Sequence, residues 1–399
     1  MSKIRVALLV GEFFDNTLRR HNVFGGYGML ARNYIAEHVP CEDITVETIL
    51  GFNDGPTLDT AVVDGRKRVI ALPLPRTLPS IRGARRCLGW MMRRLDRRAL
   101  TKYLSAFDVF LGIETMEYVP TVMSCARDRR FILYMQDPRP QSDWDDLDTV
   151  FGTDDGSPRP NSSVRAFYKT LVRENRLVGI SQGQDLIAKA KELYELPSDL
   201  SVQLVRNPVA LDNAFDLDSQ VKENAVLFLG RLDFVKRPWL ALEVARLMPE
   251  VQFYFLGKAH NDVVSYIVQP YRDLPNVHLL GHQAGEVKTD LLRRCKVLIN
   301  TSIHEAIPVS FLEALAYGTL IVSCQNPDGM TAKFGAFTGR VLGDGRDKAD
   351  LFVKGIQSVL GDETARRTRA REARAYTGEM HDVMRWTNTM REVIRAAVR

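Results

Sequence analysis

The sequence contains no apolar run approaching the ~20 residues that a membrane-crossing helix requires. Its five cysteines (Cys41, Cys87, Cys125, Cys295 and Cys324) stand far apart with no C-x-x-C, which excludes a disulfide scaffold and fits reduced thiols in a cytoplasmic protein. Histidine is sparse. His260, His278, His282 and His304 form no metal-ligand grouping, so they are expected as ordinary loop or surface residues and no metal is expected. A net charge of +5 without a supporting motif is too mild to imply nucleic acid. Residues 4–10 at the amino end are apolar but few, and they lead into no small-residue cleavage site. They are expected to form a first buried strand, not a signal peptide. No internal repeat is present. The segment Gly26-Tyr27-Gly28-Met29-Leu30-Ala31 fits G-x-G-x-x-A, but it lies too far after that strand to make the tight dinucleotide-binding turn.

What is there reads as α/β. A chain of 399 residues suits two domains of roughly 200 residues each. IRVALLV, ITVETILGF, VFLGI, FILYM, LVGI and VQLV are apolar runs without polar alternation, as parallel strands covered on both faces require. Segments with helical spacing separate them. Residues 213–224 turn polar, and the alternation then restarts with AVLFLG, VQFYFLG, VHLLG, KVLINTS and TLIVS. The expected organisation is a Rossmann-like acceptor-binding domain over 1–215 and a second Rossmann-like donor-binding domain over 216–378. A last helix over 379–399 follows a break at Thr377-Gly378 and crosses back to the first domain. Residues 137–161, rich in Asp, Pro, Gly and Ser, are expected as a long loop serving as a flap or acceptor-binding element.

Two charged groupings carry the chemistry. In the first, the strand VLIN runs into a polar loop bearing Glu305, and a helix opens at Pro308, with Glu313 further along it and Gly318 ending it. The free N–H groups at that helix start make a phosphate site, flanked by two carboxylates that accept hydrogen bonds from hydroxyl-rich groups. In the second, Gly230 and Arg231 follow a strand and Lys236 precedes a helix marked by Pro238. Open α/β sheets bind ligands at this carboxyl edge, and Arg with Lys can neutralise a diphosphate. Either grouping alone reads as ordinary loop and surface charge. Their combination favours a nucleotide-diphosphate ligand.

Gly230-Arg231-Leu232 with Lys236, followed by Glu305 and Glu313 in an E-x7-E frame, resembles the retaining GT-B glycosyltransferases of family 4. The E-A-L-A-Y-G run from Glu313 to Gly318 and the R-N-P-V run from Arg206, with Asp212 and Phe215, resemble further segments of that family. So do Val277-His-Leu-Leu-Gly281 ahead of a nucleobase pocket and the pair Gly25-Gly26 before a helix. The resemblance implies a GT-B fold and transfer of a hexose-type sugar, with retention, from a UDP- or GDP-linked donor without metal or other cofactor. Arg231 and Lys236 would hold the diphosphate, Glu305 the sugar and Glu313 the ribose. Gly230, His282, the segment Ile307, Pro308, Val309 and Ser310 with its backbone amides, and Gly25 with Gly26 would complete the donor site. Two departures stand out: Ala306 replaces the usual Gly, and Gln136-Asp137 replaces the usual His-bearing pair. The latter two are expected to contact the acceptor, a saccharide or lipid-linked saccharide of cell-surface polysaccharide or glycolipid synthesis. The basic amphipathic stretch from Arg82 to Tyr103 reads either as a helix packing its apolar stripe on the first domain's sheet with its arginines solvated, or as a peripheral dock on an anionic inner membrane face. Trp90 among arginines slightly favours the second. Its apolar stripe is Leu88, Met91, Met92, Leu95, Ala99 and Tyr103. The alternative function is a non-catalytic sugar-nucleotide or glycan-binding protein of the same fold.

Overall fold

A computed structural model describes residues 3–11, 25–53, 57–65, 67–73, 97–151, 162–259 and 262–399. Two sheets organise the chain. The first has eight strands: β1 (Ile4–Leu9), β2 (Ile44–Asn53), β3 (Asp59–Val63), β4 (Lys67–Pro73), β5 (Val109–Ile113), β6 (Arg130–Met135), β7 (Leu177–Ser181) and β8 (Val202–Leu204). Their order is β3-β4-β2-β1-β5-β6-β7-β8, and every pair is parallel except β3 with β4. The β3–β4 hairpin at the edge is absent from the sequence expectation. Asp59 and Thr60 are exposed, so that strand lacks the continuous apolar run that marks a doubly covered one.

The second sheet is wholly parallel, in the order β11-β10-β9-β12-β13-β14. It comprises β9 (Glu223–Leu229), β10 (Gln252–Leu256), β11 (Val277–Gly281), β12 (Cys295–Asn300), β13 (Leu320–Ser323) and the short β14 (Gly335–Phe337). The strand order steps outward from a centre in both directions, the doubly wound arrangement that places ligands beyond the carboxyl ends. The link from β8 to β9 spans residues 205–222.

Eight helices bear on the site: α1 (Gly26–Met29), α2 (Gln141–Phe151), α3 (Gln184–Leu193), α4 (Pro238–Leu247), α5 (Glu286–Arg294), α6 (Val309–Ala316), α7 (Glu363–Met380) and α8 (Val383–Val398). Helix α2 corrects the expected long loop over 141–151, and residues 152–161 of that expectation lie outside the described residues. Although it lies between β6 and β7 in sequence, its Trp144 and Leu147 are buried in the core of the second domain. They stand three residues apart, the spacing that puts side chains on one helix face.

The expected break at Thr377-Gly378 is also corrected, since α7 runs unbroken to Met380. A Cβ on Gly378 would stand 2.9 Å from Leu211 Cδ1, so glycine there admits a neighbour and does not end the helix. The chain turns instead at His381-Asp382, where Asp382 caps α8 by accepting from Arg385 N at 2.7 Å. From there α8 lies on the first sheet, burying Trp386, Met390, Val393, Ile394 and Ala397 with Val6, Leu8, Ile132 and Tyr134. Trp386 Nε1 donates to Tyr134 Oη at 3.1 Å, and Tyr134 donates onward to Val205 O at 2.7 Å.

Residues 82–96 of the basic stretch lie outside the described residues. Its described end, 97–104, is helical and buries Leu100 and Leu104 while Ala99 is exposed, so the buried face there differs from the expected stripe. Among the described residues, no helix is long and apolar enough to cross a membrane.

Because Trp386 joins the last helix to the first sheet through apolar burial and one hydrogen bond, Trp386→Ala should destabilise the protein by about 3–5 kcal/mol. Urea unfolding followed by circular dichroism would measure it; a loss below about 1 kcal/mol would mean α8 contributes little to the first domain.

Candidate active site

The site is built where Gly230 and Gly257 directly follow β9 and β10 and Gly281 ends β11. Gly230 N donates to Leu256 O at 3.0 Å, and Gly257 N donates to Gly281 O at 2.8 Å. A Cβ on Gly257 would fall 1.9 Å from Gly230 O, so only glycine permits this approach. Past Gly230 the chain turns through Asp233, whose Oδ1 accepts from Lys236 N at 2.9 Å. This turn folds the Lys236 side chain back toward Gly230.

Lys236 Nζ meets Glu305 Oε1 at 2.6 Å. The same oxygen accepts from Asn300 Nδ2 at 2.7 Å and Ser302 Oγ at 2.6 Å. All three bonds fall on Oε1, and among the described residues none falls on Oε2. Glu305 therefore shares one edge of the second sheet with the Gly230–Lys236 loop. Arg231 is half-exposed, and its Nε lies 3.3 Å from Asp233. Glu313, on α6, pairs with Lys288 of α5 at 2.6 Å.

Pro308 is the cap residue of α6 and lies just outside the helix, which starts one residue later than expected. Among the described residues no side chain caps this start, so the first amides of α6 have no capping oxygen. Gly26 of the first domain faces it: a Cβ there would touch Val309 Cγ2 at 3.9 Å. Ile307 is buried in the second-domain core, and its Cδ1 fills the space beside Gly183, where a Cβ would come within 2.8 Å. His282 follows β11, directly after Gly281 at φ +69°.

Two expectations change. Gln136, expected at the acceptor, is buried, and its amide exchanges bonds with Asn207 at 3.0 and 2.7 Å. His304 is no surface histidine. It is 3% exposed, with Nε2 2.7 Å from Asp137 Oδ1 and Nδ1 2.7 Å from Asp143 Oδ2. Burial alone would lower the pKa of His304, but the two carboxylates outweigh it and hold the imidazole above its ordinary value. Burial likewise opposes the ionisation of Asp137 and Asp143, yet His304 keeps both carboxyls below their usual range. Arg340 also pairs with Asp143. Among the described residues no three His, Cys, Asp or Glu side chains are grouped to hold a metal.

Arg237, unweighed in the sequence, is fully buried at a left-handed φ of 45°. Its guanidinium donates to Thr301 O at 2.7 Å, Val341 O at 3.0 Å and Gly343 O at 2.7 Å. It thereby ties the loop leading to Glu305 to the residue next to Lys236. Across the cleft, the amides of Gln184 and Asp185 donate to Asp328 at 2.9 and 3.0 Å, and Asp328 N returns a bond to Asp185 Oδ2 at 2.9 Å.

Residues 211–376 match the family model described as glycosyl transferases group 1. With two parallel-sheet domains meeting at a cleft, this defines the class: a nucleotide-sugar-dependent glycosyltransferase of GT-B fold. Among solved structures, the chain is similar to sucrose-phosphate synthase from Thermosynechococcus elongatus, at 15% identity, TM-score 0.68, and 99% coverage of both chains. It is also similar to HepE from Anabaena in complex with UDP and glucose, at 14% identity and TM-score 0.65, covering 98% of this chain and 100% of that one. WaaG, a glycosyltransferase involved in lipopolysaccharide biosynthesis, aligns at 14% identity and TM-score 0.62, covering 98% of this chain and 99% of that one. No curated protein matches in sequence.

Since Arg237 satisfies several buried carbonyls at once, Arg237→Leu should cost at least about 3 kcal/mol of stability. Thermal unfolding checks this, and an unchanged midpoint would show that the loops hold without it.

Proposed function

We propose that the protein transfers a hexose-type sugar, with retention, from a UDP- or GDP-linked donor to a saccharide or lipid-linked acceptor in cell-surface polysaccharide or glycolipid synthesis. The observation that carries this reading is Glu305, anchored through one oxygen by Lys236, Asn300 and Ser302, beside a helix start; among the described residues the other oxygen takes no bond and the helix start no side-chain cap. Such a site offers an ammonium and backbone N–H groups for phosphate and a carboxylate for sugar hydroxyls. That HepE was solved with UDP and glucose supports a uridine-linked hexose as the first donor to test.

As the glycosidic bond breaks, its electron pair leaves with the diphosphate and the sugar ring becomes cationic. Lys236, Arg231 and the α6 amides stabilise the leaving group, and preorganised donors of this kind are the largest catalytic term in many enzymes. An oxygen of the departing diphosphate takes the acceptor hydroxyl's proton as the acceptor oxygen bonds the anomeric carbon on the face the diphosphate leaves. Glu313 binds the ribose, His282 lies by the nucleobase, and Gly25 and Gly26 let the first domain's backbone approach. The reaction uses no metal or other cofactor. The basic stretch from Arg82 to Tyr103 brings the enzyme to an anionic membrane surface where a lipid-linked acceptor resides.

Lys236→Ala and Glu305→Ala should each lower transfer by at least ~100-fold while cooperative unfolding persists. The measurement is product formation from a panel of nucleotide sugars, preceded by thermal shift to find the donor, since a ligand at 100 times its Kd adds about 2.7 kcal/mol of apparent stability. Near-normal turnover in both variants removes the assignment.

A further inference from the structure

His304 joins three elements. It stands one residue before Glu305, in the turn between β12 and α6, and receives Asp137 from the end of β6 and Asp143 from α2. A neutral imidazole has one N–H to give, but both ring nitrogens here face carboxylate oxygens, which only accept. Either a carboxyl is protonated or the ring carries both protons. Arg340 on Asp143, and Arg139 4.0 Å from Asp137, favour ionised carboxylates, so the ring is an imidazolium. The charged groups around it are Asp137 and Arg139 after β6, Asp143 on α2, Arg340 after β14, and the Lys236–Glu305 pair.

Asp137 is fixed from two sides. Its backbone N donates to Glu114 Oε1 at 2.6 Å, and its carboxylate is held by His304. Glu114 is buried, sits at φ +55° and also accepts from Tyr194. The Asp137 side chain remains 31% exposed, so it presents acceptor capacity to the cleft next to Glu305.

We propose that His304 is a positioning residue: it holds Asp137 as an ionised acceptor for a hydroxyl of the transferred sugar, and through Asp143 it pins α2 to the second domain. This rests on the glycosyl-transfer reading for its kinetic consequence and is independent of it for the pinning. The bridge is complete below the ordinary histidine pKa of about 6.5. It is lost as pH rises through the raised value in the folded protein, when the ring gives up its second proton.

The test is His304→Gln, whose single amide cannot span both carboxylates. Its kcat should fall ~100-fold with a smaller change in KM, as misplacing a substrate-orienting group does. The wild-type rate should decline on the alkaline side, and that limb should be missing from the variant. Without any sugar present, hydrogen exchange of the α2 amides should quicken about tenfold in the variant. In the wild type, corrected for intrinsic rates, it should quicken as pH rises above the ordinary histidine pKa of about 6.5 and through the raised value of His304. Should His304→Gln not fold, Asp143→Asn is expected to show the same α2 exchange change. Unchanged α2 protection in the variant, or a wild-type pH profile in it, overturns the proposal; so does lost thermal stability with kinetics unchanged per folded molecule. Altered α2 exchange in a wild type that transfers no sugar would leave the bridge standing and overturn only the assigned reaction.

Discussion

The buried guanidinium of Arg237 is the interaction on which the second domain's edge depends. A charge with no exposure is costly unless its donors are met, and here they are met by carbonyls of two separate loops, around Thr301 and around Val341–Gly343. Thr301 Oγ1 completes the tie from the other side, donating to the carbonyls of Lys236 and Arg237 at 2.8 and 3.0 Å. The backbone beside Lys236 and the backbone leading to Glu305 are therefore held together before any ion pair forms. The Lys236–Glu305 contact then costs little additional side-chain order, which is what makes a partly buried pair favourable. Pro238 at the start of α4 adds a fixed φ directly after the left-handed Arg237, so the turn has few alternatives.

The two domains meet through features of different character. Ile307 enters the space left by Gly183, an apolar contact that needs the absence of a side chain. Asp328 and Asp185 cap each other's backbone, and the amino end of α3 gains a carboxylate where its dipole favours one. Helix α2 crosses over and leaves its indole in the partner core, while α8 crosses in the opposite direction. Each domain thus buries a helix of the other, and the cleft between them is bounded by fixed elements on both sides.

Much of this was legible in local pattern. The apolar strands and the polar gap before β9 stand in plain runs, and the placement of Lys236 and Glu305 follows from strand ends and helix starts. What escaped depended on partners remote in the chain. His304 meets residues 161 and 167 positions away, and a lone histidine in a polar loop leaves no periodic trace. Gln136 stands where the resembled family has a His-bearing pair, which points it to the acceptor, yet Asn207, 71 positions on, bonds its amide. Helix α2 was hidden by Asp-rich composition, although Trp144 and Leu147 at three-residue spacing were the available signal. Gly378 shows the opposite error, in which a glycine required by packing was taken for a break.

The charges lining the cleft are arranged in balanced sets: Lys236 with Glu305, Lys288 with Glu313, and His304 and Arg340 with Asp137 and Asp143. A diphosphate entering such a site adds negative charge that the existing sets do not offset. Lys236 has three donor hydrogens and needs only one for Glu305, so it can serve carboxylate and phosphate together. Arg231 is half-exposed and tethered to Asp233 on the same turn, so under the proposed function it would swing onto the phosphate with little rearrangement of the core. The site is thereby prepared on its rigid side by Glu305 and Lys236 and on its adaptable side by Arg231. That division suits a ligand whose sugar must be held still while its phosphates gain charge during the reaction.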